Sequence, residues 1–138
     1  MSRIINPEGS GKERTRLTKE SVISIRELMK QTEPDDKSRD LAAFISIALH
    51  EITKTIETSV TAWEKRGYWV KADRFRMEWA WADRMGDTMQ QAVIDDDWAG
   101  VAITSSKIAQ KLMAVKVSDR HRLGAPWEGA WNRLLKRK

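Results

Sequence analysis

Between residues 36 and 66, apolar side chains recur every three or four positions without a break: Leu41, Phe44, Ile45, Ala48, Leu49, Ile52, Ile56, Val60 and Trp63. That spacing follows the turn of an α-helix. No run of alternating Val, Ile and Thr bounded by turns, of the kind a half-buried strand needs, occurs anywhere in the chain. A helix with one long apolar stripe needs other helices to cover it. Its end is marked as well: Lys65 and Arg66 suit the negative end of the helix dipole, and Gly67 suits the left-handed position that follows.

The rest of the chain supplies the covering elements. Val22, Ile25, Leu28 and Met29 mark a first helix, with Thr18 as its N-cap and Pro34 as its stop. Before it, Asn6-Pro7 and Gly9-Ser10-Gly11 are turn signals without periodicity, so residues 1–16 read as an extended basic arm. A third helix runs from about Tyr68 to the Asp95-Asp96-Asp97 run, which caps a fourth that ends near Val117. Beyond Pro126, Trp127, Ala130, Trp131, Leu134 and Leu135 give a short amphipathic fifth helix. The expected fold is all-α. An antiparallel four-helix bundle spans residues 17–117, the arm precedes it, and a basic linker with the terminal helix occupies 118–138.

Composition sharpens the functional reading. Leu, Ile, Val and Phe make up only about a fifth of the 138 residues, against seven Trp, one Tyr and two Phe. Some of the tryptophans therefore replace aliphatic core volume, and the surplus points to binding. There is no Cys, which excludes disulfides, thiolate metal sites and a cysteine nucleophile. The most apolar run, Leu41 to Leu49, falls far short of the ~20 residues that span a bilayer. With no apolar signal core at the N-terminus, the expectation is a cytoplasmic protein.

The third helix carries two apolar stripes. Tyr68, Ala72, Phe75, Trp79, Ala82, Gly86, Met89 and Val93 form the expected core face. Trp81 lies about 200° from Trp79 and joins Val70, Met77 and Met85 on the far side. Three occupants suit that second stripe: the terminal helix with Trp127 and Trp131 folding back over Trp81, a second copy or protein partner, or a ligand. Trp, Met and Arg are enriched at interface cores, so Val70, Met77, Trp81, Met85, Trp127 and Trp131 are the candidate protein interface.

Net charge is +5, distributed as +2 over residues 1–20, −4 over 21–106 and +7 over 107–138. Basic ends around an acidic centre suit an anionic partner, nucleic acid first. The candidate contacts are Arg14, Arg16, Lys107, Lys111, Lys116, Arg120, Arg122, Arg133, Lys136 and Arg137. The bland reading of the same residues is solubilising charge. A membrane surface touched by the Trp127–Leu135 helix is the third possibility.

Catalytic patterns fail one by one. Ile47 and Ser118 stand where a Glu-x-x-His di-iron motif needs a carboxylate, and Lys54 stands where a His-Glu-x-x-His zinc motif needs its second histidine. His50 is expected to face solvent, and Asp83 with Asp87 to flank the core without level partners at Asp36 and Asp40. The Gly9-Ser10-Gly11-Lys12 segment lacks the first Gly and the final hydroxyl residue of a phosphate-binding loop. The sequence therefore predicts a non-enzymatic, cofactor-free and metal-free binding or scaffold protein. It would self-associate or dock through its aromatic and Met face and meet an anionic partner through its basic ends.

Overall fold

The computed structural model describes residues 7–137. Its elements are α1 (Pro7–Met29), α2 (Asp36–Lys65), α3 (Trp69–Ile94), α4 (Trp98–Lys111) and α5 (Ala130–Arg137), and no strand occurs among the described residues. The molecule is all-helical.

α2 is the hub. α1, α3 and α5 all pack on it, while α4 packs on α3 and touches α1. Every residue from 41 to 49 is buried, so α2 is enclosed on all sides there rather than along one stripe. The small side chains of Ala42, Ala43, Ser46 and Ala48 let its neighbours approach that closely. Caps set its ends: the Asp35 carboxylate accepts the Ser38 N–H at 2.9 Å, and Gly67 takes a φ of 81° just after the last turn.

α3 returns along α2, with Arg76 on Glu64, Gly86 beside Ser46 and Asp96 near Arg39. The turn into α4 uses a left-handed Asp96 (φ 58°), whose carboxylate accepts the Trp98 indole N–H at 2.6 Å. Asp97 caps α4 through the Gly100 N–H.

The arm is where the fold departs from expectation. From Pro7 onward the chain is helical and continuous with the first helix, and Thr18 is a buried mid-helix residue bonded to the Thr15 carbonyl. Pro7 sits where a helix accepts proline without losing a bond. Gly9 and Gly11 disfavour helix locally, but Ser10, Leu17 and Thr18 are buried and Arg14 is tied to α2, so tertiary packing overrides propensity. Residues 1–6 of the expected arm lie outside the described residues.

α4 is shorter than expected and ends at Lys111. Residues 112–129 then cross α1 as a belt. The Arg26 guanidinium donates to the Val117 carbonyl at 3.1 Å and pairs with Asp119 at 3.2 Å, and Trp127 lines a small hollow together with Ile23 and Lys30 of α1. Beyond the belt, α5 lies on α2 with Ala130 and Leu134 buried.

Candidate functional site

The tightest concentration of exposed apolar and unpaired basic side chains is the turn between α2 and α3. Tyr68, Trp69 and Val70 are consecutive and 52%, 59% and 66% exposed, and Met77 two turns further along α3 is 76% exposed. The half or more of each side chain that stays exposed gains nothing from the fold, because burial is what makes apolar surface favourable in water.

Beneath the trio lies a fixed aromatic pair. Trp63 and Phe75 meet edge to face with centroids 5.0 Å apart. Lys71 places its ammonium 4.4 Å from the Trp63 ring centre, and Arg14 its guanidinium 4.8 Å from that of Phe75. Two shallow hollows flank this base, one along Gly67–Lys71 and one between Trp63 and Arg74, and they share Val70 and Lys71.

Charge at the turn is positive. Arg76 pairs with Glu64 at 3.1 Å and Asp73 at 3.0 Å, the Glu64 hydrogen bond raises its pKa, and Glu78 lines the second hollow together with Lys71 and Arg74. Among the described residues, Lys65, Arg66, Lys71 and Arg74 have no carboxylate within ion-pair distance. The site thus offers two exposed aromatic rings, an apolar flank and four cations without a carboxylate partner.

The expected sites are partly redistributed. Val70 and Met77 are exposed as the second-stripe reading requires, and Met85 is half-buried. Trp81 is not on the surface: it is 7% exposed and stacked on Trp79 at 5.7 Å. The stripe itself is real, since Trp81, Met85 and Ala92 fall within about 40° of one another at 100° per residue. α4 explains its division. Fourteen residues folded back from Asp97 reach about 21 Å, level with Trp81 and short of Met77. The terminal helix does not cover Trp81, since α5 packs on α2 instead. Trp131 of α5 and Trp127 of the belt are half-buried, and only Leu135 of the α5 apolar face is substantially exposed.

The expected basic contacts are dispersed over several elements, although Arg16 of α1 and Arg133 of α5 both carry charge close to Glu20. Arg14 is half-buried, its guanidinium donating to Thr55 and Ser59 of α2 at 3.4–3.5 Å, and burial lowers its pKa. Arg16 pairs with Glu20 at 2.7 Å and Arg137 with Glu51 at 2.7 Å, while Arg133 donates to the Pro126 carbonyl. Lys107, Lys111, Lys116, Arg120, Arg122 and Lys136 are exposed. The belt bearing Arg120 and Arg122 meets α1 at Arg26, about 18 Å along the helix from Arg14.

In sequence the turn reads as a break between helices, and the stripe pattern says little about where its side chains lie. Tyr68, expected on the core face, precedes the first turn of α3, and its ring is exposed. The sequence signal for this site is the run Lys65 to Lys71, in which basic residues bracket a glycine and three apolar residues. His50 also departs from expectation: it is half-buried and bonded to Asp87 of α3. No family model matches the chain, and neither does any curated protein or solved structure.

Proposed function

We propose that this is a non-enzymatic binding protein that docks single-stranded nucleic acid on the α2–α3 turn. The supporting observation is the adjacency of exposed Tyr68 and Trp69 to four cations without carboxylate partners. Single strands are held by this combination, in which bases stack on aromatic faces and basic side chains follow the backbone. Lys107, Lys111, Lys116, Arg120, Arg122 and Lys136 would add long-range attraction rather than form the site. The helix pairings support reading the scaffold as an antiparallel four-helix bundle, α1 to α4, with α5 laid on α2 as a fifth element. Such a scaffold presents the turn at one end, away from the belt.

Fluorescence anisotropy of a labelled single-stranded oligonucleotide tests the reading. Binding is expected at about 50 mM salt and falls steeply by about 200 mM. Trp69→Ala is expected to weaken it about tenfold, within the range of one lost stacking contact. Lys71→Glu with Arg74→Glu should weaken it further and flatten the salt dependence. Absence of binding at the lower salt rejects the proposal.

Val70 and Met77 give one specific observation in favour of a different partner, because aliphatic side chains beside Trp and Lys also suit an anionic lipid surface. Co-sedimentation with phosphatidylserine vesicles that is lost in Val70→Asp, with no oligonucleotide binding, would establish that reading instead.

A further inference from the structure

Midway along the α2–α3 pair, away from the turn, three metal-ligating side chains converge from two helices. His50 projects from α2, and Asp83 and Asp87 lie one turn apart on α3; one ligand atom from each falls within 4.8 Å of the others. His50 Nε2 is 2.8 Å from Asp87 Oδ1.

Two further features set this cluster apart from a chance meeting of surface charges. The first is the seat of the imidazole. A Cβ on residue 86 would stand 2.9 Å from both Cδ2 and Nε2 of His50, so the ring occupies space that only a glycine leaves open. One turn earlier on α2, the Ser46 hydroxyl donates to the Gly86 carbonyl at 2.9 Å and holds the helices close. The imidazole is thus placed by packing, with its Nε2 edge facing Asp87.

The second feature is an uncompensated charge. Asp83 and Asp87 are like charges at i and i+4, an arrangement that destabilises a bare helix. Asp87 has His50, whereas Asp83 has no basic side chain within ion-pair distance among the described residues. Two carboxylates sharing one imidazole leave an excess of negative charge that a dication would offset.

We propose that His50, Asp83 and Asp87 bind one divalent transition-metal ion, Zn²⁺ in first place, bridging α2 and α3. One imidazole nitrogen with two carboxylate oxygens suits zinc, which takes such ligands at about 2.0–2.2 Å in tetrahedral geometry. An imidazole donor disfavours Mg²⁺ and Ca²⁺, which prefer oxygen. Nε2 presents its lone pair to the ion when the imidazole is neutral with its proton on Nδ1. The exposed Asp83 and Asp87 close in by side-chain rotation, and water fills the fourth position. Because the ion binds the folded helix pair and not the separated segments of an unfolded chain, it stabilises the fold.

Titration of the untagged protein with Co²⁺ followed by visible absorption, and with Zn²⁺ by calorimetry, tests the site. One equivalent per chain is expected, with a rise in Tm on adding Zn²⁺. Asp83→Asn, at an exposed residue without an ion-pair partner, should leave the helical signal intact and weaken binding at least about tenfold, as even the loss of an outer-shell partner does. Gly86→Ala, which displaces the imidazole, should weaken it as well. No saturable binding up to about 1 mM metal overturns the proposal, as does binding that survives Asp83→Asn unchanged. None of these readouts depends on the nucleic-acid reading of the turn.

Discussion

The carboxylate of Asp40 holds the backbone of Trp131. Oδ1 accepts the Trp131 N–H at 2.9 Å, and Oδ2 accepts the Gly129 N–H at 3.2 Å. A residue in the second turn of α2 thereby caps α5 from outside, 91 positions away in sequence. The first N–H groups of a helix have no partner of their own, so this carboxylate does for α5 what an N-cap residue does locally. Replacing it is expected to loosen α5 before the rest of the fold. Asp40→Ala should cost about 1 kcal/mol, the usual value of a lost cap. Faster amide exchange over 130–137, with α2 and α3 unchanged, is the measurement that checks it.

Trp81 and Trp69 separate the two roles that tryptophan has in this chain. Trp81→Ala removes a buried ring stacked on Trp79 and should destabilise by about 3–5 kcal/mol in urea unfolding. Trp69→Ala removes an exposed ring and should stay within about 0.5 kcal/mol. A large loss at Trp69 would mean that the turn is structural and not a docking surface.

That contrast also marks what the sequence conveys. Apolar spacing locates α2 to within a residue, because its stripe is long and Asp35 and Gly67 bound it chemically. It finds the second stripe of α3 but not what covers each part, since that depends on how far α4 reaches. Spacing within α3 carries no information on the length of α4. The helical start at Pro7 is hidden for a related reason: Gly9-Ser10-Gly11 favours a turn locally, and only the α2 surface beneath Ser10 and Arg14 reverses that. The candidate metal cluster joins residues 33 and 37 positions apart. Its pairing rests on the helix register and on the missing side chain at Gly86. The turn site is the most local, with most of it in the seven consecutive residues Lys65 to Lys71 and Arg74 one turn further along α3.

Arg14 should behave as a structural residue and not as a nucleic-acid contact. Its guanidinium bridges α1 to Thr55 and Ser59 and lies over Phe75. Arg14→Ala is expected to cost about 2 kcal/mol, combining a partly desolvated cation–π contact with weak charge-assisted hydrogen bonds. Arg14→Lys should recover little of this, because an ammonium lacks the planar fork that spans both hydroxyls. Oligonucleotide affinity at a temperature where both variants are folded should change less than for Lys71→Glu.

Acid should release α5 through Glu51. Burial by itself raises the pKa of this carboxyl, but hydrogen bonds from Arg137 at 2.7 Å and from Lys54 outweigh it and leave the pKa below the ordinary glutamate range. Since the folded value is the lower one, the unfolded chain takes up the proton first as pH falls. The stabilisation is therefore complete above about pH 4.3 and is lost as pH drops through the folded value. Glu20 works in the opposite sense: burial raises its pKa despite Arg16 and Arg133, so its charged form weighs against the fold as pH rises. Comparing wild type with Glu51→Gln at each pH removes the Glu20 contribution common to both. The variant should have the lower urea midpoint at pH 7, and the gap should close below about pH 4 as wild-type Glu51 is neutralised. A gap that stays constant across that range would show that Arg137 does not hold α5 through this carboxylate.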